Sequence, residues 1–200
     1  MAITAEQVKA LREKTGAGMM ECKAALTETN GNLDEAVTVL RKRGLAQAAK
    51  RAGRNTSQGL VSSYIHMGGK IGVLLEVNCE SDFVARTEGF QHLVKEIAMH
   101  IAAAEPKYVR REDVPSELLE KEKAIYRAQF EGSGKPAQVI DKIIEGKLGS
   151  FYSQIVLLDQ PSVRDQAVTV GQMVSQAVAK TGENIVVSRF SRFKLGESAE

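Results

Sequence analysis

Tryptophan is absent from this 200-residue chain, and aromatics make up only 5% of it. Each Phe and Tyr therefore carries more positional information than usual. Cysteine is scarce as well: Cys22 and Cys79 are the two present, they lie far apart, and neither belongs to a CxxC pair, which excludes zinc-ribbon and dithiol chemistry. No apolar run approaches the roughly 20 residues a spanning helix needs, so no membrane partner is expected. The start, Met-Ala-Ile-Thr-Ala-Glu, has neither the basic n-region nor the apolar h-region of a signal peptide, and a reduced, cytoplasmic protein is expected. A net charge of +2 exerts no global pull toward nucleic acid or membrane.

Catalytic signatures are missing too. There is no Ser-His-Asp order, HExxH, GxGxxG or Walker motif in the chain. His66 is isolated, and His92 and His100 share a helical stretch with no carboxylate or Cys in metal-ligand spacing. No metal and no cofactor are expected, and the residues point away from an enzyme. Gly132-Ser-Gly-Lys-Pro136 has only a superficial likeness to a phosphate loop. It lacks the upstream Gly, and Pro136 stands where Ser or Thr would hold magnesium; a turn with Pro136 at a helix start is the expectation.

What is present reads as two modules. Thr4-Ala-Glu-Gln7 is a capping-box pattern opening a helix with Val8 and Leu11. Thr15-Gly-Ala-Gly18 breaks it. A second helix runs from Met19 to a stop at Asn30-Gly31, and Asn32 to Glu35 starts a third, with Leu33, Ala36, Val37 and Leu40 at helical spacing. Met19 and Met20 are adjacent, so their side chains point about 100° apart. At least one should be exposed, and exposed Met suits an adaptable contact surface. Leu45 to Ala52 reads as a further, alanine-rich helix within the basic stretch Arg41-Lys42-Arg43, Lys50-Arg51 and Arg54. That stretch is either a solvated helix face or a contact for phosphate or an acidic partner; no aromatics interleave for base stacking. The expected division is an N-terminal three-helix domain with its basic connecting helix over 1–53, a linker over 54–58, and an α+β core over 59–200.

In the core, Leu60 to Ile65 is β-prone and Gly68-Gly69 suggests a two-residue hairpin. Ile71, Val73, Leu75, Val77 and Cys79 alternate along one strand face, which makes Cys79 a buried small hydrophobe. Phe90, Leu93, Val94, Ile97, Ala98 and Ile101 form a helical stripe that must cover the sheet. Glu105-Pro106 stops that helix, and Tyr108-Val109 adds a short strand or turn. A charged helix follows Pro115 through about Phe130. Val139 to Ile144 marks another helix, interrupted at Leu148-Gly-Ser-Phe151 and resumed from Ile155 to Leu158. Thr169-Val-Gly-Gln172 caps one more, and Glu183 to Leu195 is a final strand with imperfect alternation, ahead of a polar tail. The fold class is α+β: a small antiparallel sheet covered by helices, after the helical N-terminal domain.

The strand from Ile71 runs into Asn78-Cys-Glu-Ser-Asp-Phe-Val-Ala-Arg86. By pattern alone, Asp82 caps the coming helix and Phe83 tucks beneath it. The competing reading makes Phe83 a wedge presented to a partner.

Two stretches together carry a resemblance: Thr15-Gly-Ala-Gly-Met-Met-Glu-Cys-Lys-Ala-Ala-Leu26 and Asn78 to Arg86. They resemble elongation factor Ts, the guanine nucleotide exchange factor for elongation factor Tu. The likeness extends to Asn30-Gly31, Gly134-Lys-Pro136, Glu145-Gly-Lys147 and Arg192-Phe-Lys-Leu-Gly196. It implies a ubiquitin-associated-like (UBA-like) N-terminal domain before the α+β core. It also implies that Ser81, Asp82, Phe83 and Val84 enter the nucleotide-binding domain of Tu and disturb its magnesium and phosphate site, so that GDP leaves. Met19 and Met20 fall on the contact surface of the N-terminal domain. Ser81 replaces the family's usual Thr, which keeps the hydroxyl and loses a methyl. With only one core half, the chain resembles short members that pair as homodimers, here held by the final strand and helices without a disulfide. No direct nucleotide binding is implied. The remaining alternative, an RNA-binding translation accessory protein, rests on Arg41 to Arg54.

Overall fold

The computed structural model describes residues 3–131 and 133–197. Gly132 of the Gly132–Pro136 turn, the start Met1-Ala2 and the end of the polar tail lie outside the described residues. The fold is α+β: helices first, then a three-stranded antiparallel sheet accompanied by helices. Contacts divide the chain into two compact units. One comprises 1–61, 76–94 and 172–187; the other comprises 62–75, 95–171 and 188–200.

The first unit begins with three helices: α1 (Ala5–Thr15), α2 (Met19–Glu28) and α3 (Leu33–Arg51). Thr4 caps α1 reciprocally. Its hydroxyl accepts from the Gln7 amide at 3.2 Å, and the Gln7 side chain accepts from the Thr4 amide at 3.0 Å. Gly16, at φ 69°, ends the helix in the left-handed region that glycine enters without a Cβ penalty. Asn30 and Gly31 both take positive φ after α2. Asn32 then caps α3 by accepting from the Asp34 and Glu35 amides. Val8, Leu11, Cys22, Ala25, Leu26 and Ala36 are buried in a core of their own, with Ile3, Ala17, Val37, Val39 and Leu40 against it.

The basic stretch departs from expectation. Leu45 to Ala52 is no separate helix, because α3 continues unbroken through Gly44 to Arg51. Gly44 lies beside Ala179 of α8 (Val170–Thr181), where an added Cβ would come within 3.5 Å of the Ala179 Cβ. A small residue at that point lets two helices approach without breaking either.

Strands β1 (Gln58–Ile65), β2 (Ile71–Cys79) and β3 (Ile185–Lys194) form the sheet in the order β1-β2-β3. Val73, Leu75, Val77 and Cys79 of β2 are all buried, with exposed or half-buried residues between them. The hairpin between β1 and β2 is longer than the two residues expected. The His66 amide donates to the Ile71 carbonyl at 2.9 Å, and the Gly69 amide closes a turn onto the His66 carbonyl at 2.9 Å. Gly68 and Gly69 supply its two positive-φ positions. In β3, burial falls on Ile185 and Val187 and then slips by one residue, so that Phe190 and Arg192 become the half-buried positions. That slip accounts for the imperfect alternation in sequence.

Phe90, Leu93, Val94, Ile97, Ala98 and Ile101 of α5 (Glu88–Ala104) are all buried. In the second unit, Glu105 ends α5 at φ 52°, an uncommon conformation for a residue with a side chain. Its carboxylate receives Arg192 at 2.5 Å and Lys194 at 3.5 Å. Arg192 also donates to the Ala102 carbonyl at the same helix end. The second unit also holds α6 (Ser116–Ala128) and α7 (Ala137–Ile155). Pro136 stands just ahead of α7. The interruption expected at Leu148 to Phe151 is absent: α7 is continuous, and Ser153 returns its hydroxyl to the Gly149 carbonyl at 3.1 Å. The backbone amides of Gly146 and Gly149 remain in the helical ladder, so their lost propensity, about 1 kcal/mol each, is tolerated. Tyr108 forms a parallel bridge with Val156.

Candidate functional site

β2 ends at Cys79, and two residues later Ser81 opens a single helical turn, α4 (Asp82–Ala85), ahead of α5. Ser81 rather than Asp82 is the cap: its hydroxyl accepts from the Val84 amide at 3.3 Å. A cap must keep extended backbone while its side chain folds over the first turn, and Ser81 does so at φ −125°, ψ 151°. Asp82 is then free to point outward, where it pairs with Arg86 at 2.5 Å, one turn on. Both partners are exposed, so that pair adds little stability.

Phe83 does not tuck beneath the helix. It is 81% exposed, whereas Val84 and Ala85, the next residues, are 5% and 2% exposed. The turn therefore has a buried side, Val84-Ala85, and a presented side, Asp82-Phe83. An aromatic ring held in water on a rigid turn forgoes the roughly 2 kcal/mol that burial would supply, and nothing in local helix chemistry requires it there. Below the turn, the Cys79 thiol donates to the Ser81 carbonyl at 3.1 Å. Burial pushes the Cys79 thiol up from its ordinary value, and the Glu183 carboxylate reinforces the shift against opposing backbone hydrogen bonds. That makes Cys79 a poor nucleophile.

Two acids tie this knuckle to the residues just before β3. Glu183 accepts from the Ser81 amide at 2.9 Å and from the Ser81 hydroxyl at 2.5 Å. Glu80 accepts from the Asn184 amide at 2.6 Å and pairs with Arg54 at 3.5 Å. Asn184, itself buried, donates to the Arg54 carbonyl at 3.1 Å. Glu183 and Asn184 escaped the sequence reading. They lie about a hundred residues from their partners, and no local pattern marks a carboxylate that will meet a backbone amide across such a gap.

Met19 and Met20, in the first turn of α2, are 54% and 76% exposed, so both reach solvent. Glu21 holds this corner by accepting from the Gly18 amide at 3.2 Å and from Gln47 at 3.3 Å. Much of the basic stretch has internal partners. Arg41 donates to Gln172, Arg43 to Glu28, Arg51 to Gln47, and Arg54 pairs with Glu80.

Chemistry elsewhere is sparse. His100 is buried; its Nε2 meets Gln160 Oε1 at 2.9 Å and its Nδ1 accepts from the Val163 amide at 3.3 Å. Among the described residues, no group of three or more His, Cys, Asp or Glu could hold a metal ion, and no helix is long and apolar enough to cross a membrane.

Comparison with known proteins adds a family. The family model described as elongation factor TS matches residues 1–197. A curated elongation factor Ts from Koribacter versatilis is 60% identical over 200 residues, covering 100% of this chain and 91% of the relative. Its counterpart from Fervidobacterium nodosum is 61% identical over 197 residues, covering 98% of this chain and 100% of the relative. That of Geobacter sulfurreducens is 60% identical, with 100% and 93% covered.

Proposed function

The chain belongs to the elongation factor Ts family, whose members are translation elongation factors, and from that premise we propose that it is the guanine nucleotide exchange factor for elongation factor Tu. The single observation that carries the proposal is the exposed Phe83 on a buried, hydrogen-bonded mount. Ser81, Asp82, Phe83 and Val84 act as one unit. Phe83 is the wedge, Asp82 stands beside it, Ser81 caps the turn, and Val84 anchors it from below. The unit enters the nucleotide-binding domain of GDP-loaded Tu and displaces the groups that hold magnesium and phosphate. GDP affinity depends on that magnesium shell, so its disturbance releases GDP. The factor stays bound until GTP arrives.

An exchange factor must bind the nucleotide-free switch protein more tightly than the GDP-bound one. The coupling is reciprocal, so nucleotide expels the factor by the same free energy. An apolar wedge fits this role because it gains its burial energy only in the opened partner. No bond is made or broken, so no enzyme chemistry is required of the chain, and no metal, cofactor or bound nucleotide of its own. Met19 and Met20 supply a second, adaptable contact. In this division of labour, residues 1–53 dock, 54–58 connect, and 59–200 carry the wedge and the self-association surface.

The factor works as a cytoplasmic homodimer. Ile65, Met67, Leu74 and Phe193, on the strands and hairpin of the second unit, and Leu195, just after β3, are large apolar residues left exposed. Exposed apolar side chains of this size suit burial against a second copy. The test of function is direct: mixing the protein with GDP-loaded Tu should accelerate release of labelled GDP, and an unchanged release rate would remove the proposal.

A further inference from the structure

We infer that Glu183 is a positioning residue: it locks the Ser81 cap in the geometry that presents Phe83. The inference rests on the exchange reading above and extends it to a residue outside the 81–84 motif. The amide and hydroxyl of Ser81 have three hydrogen-bonding duties. Its hydroxyl accepts from the Val84 amide at 3.3 Å and donates to Glu183 Oε1 at 2.5 Å, while its amide donates to Glu183 Oε2 at 2.9 Å. Both carboxylate oxygens are thus used on one residue, in the bidentate manner that adds geometric specificity to energy.

The hydroxyl of a capping serine is otherwise a free rotor. A charge-assisted acceptor at 2.5 Å fixes the hydroxyl proton toward Glu183 and leaves a lone pair for the Val84 amide. That amide belongs to the residue after Phe83, so the bond sets the direction of the turn from which the ring projects.

Glu183 is itself held. It follows Gly182, which adopts φ 78° at the end of α8, and its amide donates to the Thr181 hydroxyl at 3.3 Å. The neighbouring Asn184 is secured by Glu80 and the Arg54 carbonyl. The turn from α8 into β3 is therefore fastened on both sides. A wedge that must do work on a partner needs such backing, since a turn free to yield would bend instead of opening the partner.

The test uses the full-length protein with Tu. Glu183→Ala should lower the maximal GDP-release rate about tenfold or more, tenfold being roughly the low end for losing a single hydrogen bond to a charged group. Glu183→Gln keeps one acceptor oxygen and can donate to the Ser81 hydroxyl, so it should recover most of the rate. In a Phe83→Ala background, Glu183→Ala should cost nothing further, because the ring it positions is gone. Amide hydrogen exchange gives a readout independent of Tu: Glu183→Ala should speed exchange at Ser81 and Val84 and leave the α5 amides protected. Wild-type release by Glu183→Ala, or an equal loss in the Phe83→Ala background, would overturn the inference. So would unchanged protection of Ser81 and Val84, whatever the release rates. A wild-type rate for Phe83→Ala alone would instead remove the exchange reading, and the protection data would still decide whether Glu183 holds the cap.

Discussion

Replacing Phe83 with alanine should separate the proposed function from stability. With 81% of the residue already in water, deleting the ring removes few intramolecular contacts. Folding stability should move by no more than about 0.5 kcal/mol, as for surface substitutions generally, and the melting midpoint should stay within a degree or two. The functional cost is different in kind. If the ring is buried on the opened form of Tu and not on the closed form, its loss withholds about 2 kcal/mol from the opened complex. At 1.4 kcal/mol per factor of ten, GDP release should slow about thirtyfold. The assay is stopped-flow release of a fluorescent GDP analogue from Tu across a range of factor concentrations. The plateau reports opening and the half-saturation point reports docking, and the plateau should fall more than the half-saturation point moves. Phe83→Leu, which keeps most of the apolar area, should lie between. A Phe83→Ala protein with the wild-type plateau would refute the wedge; one that also melted many degrees lower would refute the reading that Phe83 is free of the fold.

Other consequences can be checked separately. At Gly59 an added Cβ would lie 2.2 Å from the Val77 carbonyl oxygen at φ 145°, so Gly59→Ala should destabilise by well over about 1 kcal/mol, measurable by urea unfolding. Burial lowers the His100 pKa from its ordinary 6.5, against a raising hydrogen bond to the Gln160 side-chain oxygen. The unfolded chain then takes up a proton that the folded chain refuses, so this contribution to stability is complete above about pH 6.5 and is lost as pH falls below it. His100→Gln should flatten that slope in melts between pH 7 and pH 5. Phe193→Glu, placing a charge at an exposed apolar position of the second unit, should convert the proposed dimer to monomer in analytical ultracentrifugation. Arg192→Ala removes one of the two cations on Glu105 and the donor to the Ala102 carbonyl, and should speed hydrogen exchange at the last turn of α5.

Periodicity and capping chemistry act locally, and they were legible without coordinates. The Thr4–Gln7 box, the stop at Asn30-Gly31, the buried alternation of β2 and the apolar stripe of α5 all follow from residues within one or two turns of each other. So did the α+β class and the family, since the Thr15–Leu26 and Asn78–Arg86 motifs are continuous in sequence. Local rules misread the glycines. A separate helix from Leu45 and an interruption at Leu148 to Phe151 were expected, yet α3 runs through Gly44 and α7 through Gly149; the small propensity cost of glycine is outweighed once a helix has neighbours. Only the tertiary structure decided which way Phe83 faces. By pattern alone it was expected to tuck beneath the helix. The choice was made by Val84 and Ala85 taking the buried side and by Glu183 and Asn184 arriving from about a hundred residues away to hold Ser81 and Glu80. A contact of that kind joins two segments that share no sequence pattern, so it comes into being only when the chain is folded.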